Sequence, residues 1–312
     1  MAETFLTLTN SVLSRMNEVQ LTSTNFTNAR GVQTQAQNAV NEAIRYINQR
    51  EFNYPFNHSS KTETLVPGTV RYSLPTDAKH ADYNTFRIAK DTDLGTSGSS
   101  LTTLNYNEYV DKYISQEDDV TTTNLDGSLT DSATTITVNS TTGFSSAGTL
   151  HIANEQVTYT GTSSTTFTGV TRGANSTTAA AHADDVQVAE FDNGGVPLYV
   201  IRTLDNNYLL YPFPNKTYAL KYDYFTFASS LSAHSDTTSI PDRFAPVIID
   251  GATAYAYQYR GEIQQYQLNF ARFEQGIKNM QSLLVNKYQY VRSTVIFKPD
   301  SMAGYFTSEV TS

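Results

Sequence analysis

The chain of 312 residues has no cysteine and no tryptophan. Without cysteine there is no disulfide framework, no thiolate metal site and no thiol nucleophile, so stability has to come from packing and assembly. Charge is scarce as well: Asp, Glu, Lys and Arg are only 16% of the residues, the net charge is −9, and Lys and Arg form no run anywhere. Gripping nucleic acid through its phosphates needs a basic stripe, whereas an acidic wall lets a polyanion slide past without sticking. No segment approaches eighteen consecutive apolar residues, which excludes a helical membrane span on length. The start, Met1-Ala2-Glu3-Thr4-Phe5, lacks a basic region followed by an apolar run and does not read as a secretory signal, so a soluble compartment is expected.

Chemistry-bearing motifs are missing too. His58, His80, His151, His182 and His234 are scattered, none at a spacing that aims two imidazoles at one metal, and each reads as a surface or turn residue. Glu117-Asp118-Asp119 and His182-Ala183-Asp184-Asp185 lack the alternating ligand spacing of a calcium loop and read as solvated turns. There is no GxSxG elbow and no phosphate-cradling loop; Gly95-Thr96-Ser97-Gly98 has neither the lysine nor the following helix. The expectation is a protein with no catalytic residue, no metal and no cofactor, and not an enzyme.

What the chain does have is Tyr (21) and Phe (16), set among abundant Thr, Ser and Asn. A polar, weakly charged surface rich in aromatics suits a β-rich structural protein packed against copies of itself or neighbours. The strongest pattern is Ile240 to Val291, which reads as two long helices joined at Arg260-Gly261. Phe244, Val247, Ile248, Gly251, Ala252, Tyr255 and Tyr259 share one face of the first. Ile263, Tyr266, Phe270, Phe273, Ile277, Met280, Leu284 and Val291 form a heptad seam on the second. The small residues Gly251, Ala252, Ala254 and Ala256 permit close approach, so the pair should fold back as an antiparallel hairpin. Gln258, Gln264, Gln265, Gln267, Gln275 and Gln281, with Tyr257 and Tyr288, are expected on its outer face. Such a face desolvates cheaply, and Tyr257, Gln258 and Gln265 are taken as subunit-interface residues.

Nearer the N-terminus, a short helix is expected from Thr9, with Leu8 stapling onto Val12 or Leu13 and Met16 and Val19 continuing the stripe. A longer helix carries Val32, Ala36, Val40, Ile44 and Ile47. The period then switches to two: Thr62 to Leu65 and Thr69 to Leu74 flank Val66-Pro67-Gly68 as a hairpin, and Thr85 to Ala89 is a further strand. Asn105 to Ile114 reads as a short helix. From Thr121 to Val188 the chain becomes Thr/Ser/Gly-rich, with strands at Thr134 to Val138, Thr149 to Ile152, Gln156 to Thr160 and Thr165 to Val170, separated by turns at Asn154-Glu155 and Gly161-Thr162. Its apolar residues alternate too regularly for a disordered linker, which makes it a small all-β inserted domain. Pro197 to Thr203, Tyr208 to Tyr211 and Tyr218 to Phe227 then read as three strands of the kind found before Thr121.

The fold class expected is therefore α+β: a helical bundle of two helix pairs, N- and C-terminal, on a central antiparallel β-layer, with the small all-β domain inserted. The boundaries are 1–120 and 190–292 for a discontinuous core, 121–189 for the insert, and 293–312 for an extended tail. The tail carries Phe297, Tyr305 and Phe306 without a local partner, so it is expected to dock on something.

Two helix pairs around a β-layer, with Ile240-Pro241-Asp242-Arg243-Phe244 leading into Gly251-Ala252-Thr253-Ala254-Tyr255-Ala256-Tyr257, resemble the head-to-tail adaptor (connector) proteins of tailed bacteriophages, especially short-tailed, podovirus-like ones. Ser132-Ala133-Thr134-Thr135-Ile136-Thr137-Val138, Gly143-Phe144, Gly148-Thr149-Leu150 and Phe167-Thr168-Gly169-Val170-Thr171-Arg172-Gly173 resemble a small β-module that recurs in phage virion proteins. The resemblance implies a structural virion protein of the neck or tail, assembled in the host cytoplasm. It would form an oligomeric ring, in the family usually of twelve copies, wedged between the portal protein and the tail tube or nozzle. DNA would pass through the lumen during ejection without specific binding, no membrane would be involved, and Phe297, Tyr305 and Phe306 would be portal-binding. The alternative is a tail-associated protein binding host-surface carbohydrate through the β-module.

Overall fold

The computed structural model describes residues 3–89, 98–114 and 119–285. The architecture is α+β, with five helices and several antiparallel sheets among the described residues. The chain divides into two compact units, 1–56 with 228–312, and 57–227.

The first unit is helical. α1 (Phe5–Arg15) starts four residues before the expected Thr9, because Thr4 caps it: the Thr4 hydroxyl accepts from the Thr7 N–H at 3.3 Å, and the Thr7 hydroxyl accepts from the Thr4 N–H at 2.9 Å. It also ends sooner, so Val19 lies outside the helix and is 76% exposed instead of continuing the stripe. α2 (Val32–Gln49) follows, and its every-third-or-fourth apolar set Ala36, Val40, Ile44 and Ile47 is fully buried. The C-terminal pair is α4 (Ala245–Arg260) and α5 (Ile263–Leu284). α4 carries Pro246 in its first turn, where a missing N–H costs nothing. It stops at Gly261, whose φ of 76° closes a Schellman motif: Glu262 N–H reaches the Tyr257 carbonyl and Gly261 N–H the Gln258 carbonyl, both at 3.1 Å. Helices joined by so short a link run antiparallel. Gly251 accordingly faces Phe273, and Gly276 faces Val247.

The core of this unit draws on all four helices: Leu8, Val12, Val40, Ile44, Ile248, Ala252, Phe273, Ile277 and Met280 are buried together. The seam on α5 is shorter than its sequence pattern. Ile263 is 66% exposed, and burial begins only at Tyr266 and Phe270, where the Tyr46 ring of α2 packs at 5.7 Å from Phe270 and 5.4 Å from Phe273. Tyr259, placed on the buried face of α4 by its spacing, lies in the last turn and is 58% exposed. The returning segment 231–237 is fixed by backbone-like pairing. The Asn41 amide accepts from the Leu231 N–H at 2.8 Å and donates to its carbonyl at 3.0 Å, and Phe5 N–H donates to the Asp236 carbonyl at 2.7 Å.

The second unit contains two four-stranded sheets and a β-module. β1 (His58–Leu65) pairs antiparallel with β15 (Tyr218–Thr226), which pairs with β3 (Ala78–Ile88), in the order β1-β15-β3-β4, β4 being Ser99–Ser100. β2 (Arg71–Ser73) pairs with β14 (Asn207–Tyr211), then β13 (Tyr199–Arg202), then β5 (Thr102–Leu104), the last pair parallel. The expected hairpin at Val66-Pro67-Gly68 is therefore not formed: β1 and β2 belong to different sheets, and the bend carries the chain across. Alternation identifies a strand but not its partner, and here the Gly68 N–H donates to the distant Pro214 carbonyl at 2.9 Å. The sheets share a core of Leu65, Phe86, Val200, Tyr208, Leu210, Leu220 and Tyr222. Successive residues of β13 and β14 point to opposite faces, so Ile201 and Leu209 face a second cluster with Tyr109 of α3 (Tyr106–Tyr113), Phe191 and Phe213.

The β-module occupies 121–190. One sheet runs β6-β12-β8-β9, with β6 Thr121–Asn124, β8 Gly148–Ile152, β9 Glu155–Tyr159 and β12 Gln187–Glu190. The other runs β10-β11-β7, with β7 Ile136–Thr137, and the expected turn at Gly161-Thr162 is its edge strand β10, paired with β11 (Thr166–Thr168). Ile136, Val138, Leu150, Ile152, Val157, Tyr159, Phe167 and Val188 form a separate buried core.

Candidate functional site

The surfaces available for assembly follow from which helix faces the bundle consumes. On α5, Phe273, Ile277 and Met280 are buried, whereas Gln264, Leu268, Ala271, Gln275, Asn279 and Ser282, spaced by threes and fours on the opposite side, are all exposed. This face includes Leu268 at 51% exposure and one exposed cation, Lys278, with the exposed Arg272 at its edge. Such a strip, mostly amides and small residues with a single lysine on it, resembles the desolvatable part of a protein contact more than a solvated surface.

Of the expected interface residues, Gln258 and Gln265 are exposed. Tyr257 is half-buried in its own chain, its hydroxyl 3.4 Å from the Arg15 carbonyl. Gln281 is likewise turned inward, its amide donating to the Tyr54 hydroxyl at 3.2 Å, instead of joining the outer face. Tyr288, Phe297, Tyr305 and Phe306 lie outside the described residues, as do Gly95 to Ser97, Glu117 and Asp118.

The β-module contains a cluster that pattern reading missed. Glu155 is 1% exposed, and its carboxylate takes a bidentate ion pair from Arg172 at 2.6 and 2.7 Å, a contact from His182 Nε2 at 2.8 Å, and the N–H groups of Gly173 at 3.0 Å and Ala180 at 3.2 Å. Burial by itself would raise this carboxyl, but Arg172, His182 and the two backbone donors together hold it down at about 2. Arg172 also donates to the carbonyls of Thr130 and Ala180. Both carboxylate oxygens are fully engaged, and the cluster ties the 171–182 loop to the β8–β9 hairpin. A signal was present in the sequence: Arg172 is the single Lys or Arg between 121 and 189.

His151 and His182 are thus not the surface or turn residues their isolation suggested. His151 stacks on Phe191 with centroids 3.9 Å apart, its Nδ1 3.2 Å from the Asn215 carbonyl. Burial lowers its affinity for a proton, with the Asn215 carbonyl and Asp192 opposing. Together with Asn154, which accepts from the Thr217 N–H at 2.9 Å, and Gln187, which donates to the Pro67 carbonyl at 3.0 Å, it docks the module on the sheet that precedes and follows it. Packing there is close: a Cβ on Gly68 would stand 2.8 Å from that of Ala189.

No group of three or more His, Asp or Glu side chains among the described residues is placed to hold a metal ion, and no helix there is long and apolar enough to cross a membrane. A comparison with curated proteins finds no match. The family model described as SU10 adaptor protein matches residues 3–138 and 110–295, spanning both the helical unit and the β-rich unit. The chain therefore belongs to the SU10 adaptor protein family, structural adaptors of bacteriophage.

Proposed function

We propose that this adaptor assembles into a closed ring, of twelve copies, that joins the portal protein to the tail tube or nozzle of a short-tailed phage and lets DNA pass through its lumen. The observation that carries the reading is the amide-rich outer strip of α5 from Gln264 to Ser282, exposed along its length on a helix whose other side is locked into the bundle. A heterologous contact repeated by rotation closes into a ring, and a strip made mostly of amides and small residues desolvates at each repeat with few ions to strip of water. Gln258 and Gln265 flank this contact, with Tyr257 at its rim. The net charge of −9 supports unimpeded passage of a polyanion.

Phe297, Tyr305 and Phe306 are assigned to the portal contact. Burying three aromatics at roughly 1.5–3 kcal/mol each, multiplied around a ring, makes attachment effectively irreversible. The ring belongs to the neck of the virion and is assembled in the host cytoplasm. The β-module, 121–189, is an insertion in a core formed by 1–120 and 190–292; the pairing of Thr121 with Glu190, which puts its entry beside its exit, supports this.

The test is sedimentation of the full chain with purified portal rings. Leu268→Glu with Gln275→Glu would bury two unpaired charges at every repeat and should leave a folded chain that forms no ring. Gln258→Glu with Gln265→Glu should weaken the ring. Truncation after Arg292 should leave a folded chain that fails to co-sediment with the portal. Normal ring occupancy by the Leu268/Gln275 variant would overturn the reading.

A further inference from the structure

A pocket of about 240 Å³ opens in the β-rich unit where β3 passes the β13–β14 turn, lined by Lys79, His80, Tyr83, Arg202, Thr203 and Leu204 among others. Two cationic side chains and an imidazole converge there in a chain of net charge −9, and among the described residues no Asp or Glu lines the pocket. The closest acidic residue in sequence, Asp205, is engaged by Arg71 at 3.9 Å and by the Asn207 amide at 2.8 Å. Among the described residues the side chains of His80 and Arg202 make no hydrogen bond and no ion pair. Leu204, on the rim, is 95% exposed, the most of any large apolar side chain described.

From these features the geometry points to a docking site for an acidic segment of a partner protein, one carboxylate entering the pocket with an apolar neighbour laid on Leu204. The guanidinium of Arg202 offers the planar fork that a carboxylate takes in a bidentate manner. Tyr83, stacked on Phe86 at 5.2 Å, supplies a wall for the aliphatic stem of the entering side chain. The volume falls below the roughly 300–1,000 Å³ of ordinary small-molecule sites, and suits a single side chain. A bare phosphate leaves Leu204 in water, and a nucleic acid brings many charges into the field of an acidic protein where a loop carboxylate brings one. The inference stands whether or not the chain forms a ring.

Nuclear magnetic resonance of the full chain tests it, because only five histidines contribute imidazole signals. The His80 signals are assigned by their loss in His80→Gln. The probes are the end-capped peptide acetyl-Gly-Leu-Glu-Leu-Gly-amide, its counterpart with Gln for Glu, inorganic phosphate, and a single-stranded DNA oligonucleotide. The Glu peptide is expected to shift the His80 signals, and the Gln peptide to do so at least about tenfold more weakly, as loss of a charged pair requires. Arg202→Gln should cost a similar factor, and Leu204→Ser should weaken the peptide several-fold without altering the response to phosphate. Both residues are exposed, so unchanged melting shows that the variants fold. The inference is overturned if Glu and Gln peptides bind alike, if Arg202→Gln has no effect, if phosphate matches the peptide, or if the oligonucleotide binds more tightly than the peptide.

Discussion

The ring of Phe273 lies against the bare backbone of Gly251, so close that a Cβ there would stand 2.7 Å from two of its atoms. Phe273 is fully buried and cannot swing away. In Gly251→Ala, better helix propensity contributes about 1 kcal/mol, while forcing a methyl into a packed core costs about 1–3 kcal/mol. The overlap with three ring atoms favours the cost, so a net loss of about 1 kcal/mol is expected in urea unfolding. Phe273→Leu in the same chain should recover part of it, which a purely local backbone effect would not allow.

Acid should loosen the β-module through Glu155. Its carboxyl is held at about 2 when folded, against an ordinary value of 4.5, so the stabilisation is complete above the unfolded value and is lost as pH falls from about 4.5 towards 2. A tenfold change in proton affinity is worth about 1.4 kcal/mol, so roughly 3 kcal/mol is at stake. Glu155→Gln strands Arg172, itself only 7% exposed, and should cost about 3–5 kcal/mol at neutral pH. Thermal melts across the acid range check both.

His151 should act in a milder interval. Burial against Phe191 lowers its proton affinity in the folded protein, so on acidification the unfolded chain takes up the proton first. Stability should therefore begin to fall as pH drops below about 6.5, well above the Glu155 interval. His151→Gln should flatten the melting temperature between pH 7 and 5 while leaving the deeper acid loss in place.

Replacing Thr122 to Val188 by a short Gly/Ser linker should leave a folded protein with nearly unchanged helix content. Thr122 pairs directly with Ala189, so the gap to be bridged is one strand spacing, about 5 Å. Ala189 and Phe191 are retained because they pack with Val70, Ile201 and Phe213. Circular dichroism with a single cooperative melt is expected; loss of cooperativity would show that the flanking strands need the module to fold.

The helix pair was legible in the sequence because its determinants are local. A stripe at steps of three and four, a proline in the first turn and a glycine after the last one fix α4 and its stop at Gly261, whatever surrounds them. Four strands of the β-module were legible for the same reason, since alternation and turn residues act within a few positions, whereas Thr121–Asn124 and Gln187–Glu190 lack such alternation and Gly161-Thr162 reads as a turn. What tertiary structure alone decided was pairing. β1 and β2 are near neighbours in the chain, yet each pairs with a strand far along it, because the residue that satisfies a backbone N–H or fills a face is chosen by space and not by sequence distance. The same holds for side chains. Glu155 meets Arg172 and His182 across 17 and 27 positions, Lys79 and His80 share a pocket with Arg202, and Ile263 keeps its heptad position while the bundle leaves it exposed. Burial belongs to the assembled elements; the sequence only makes it possible.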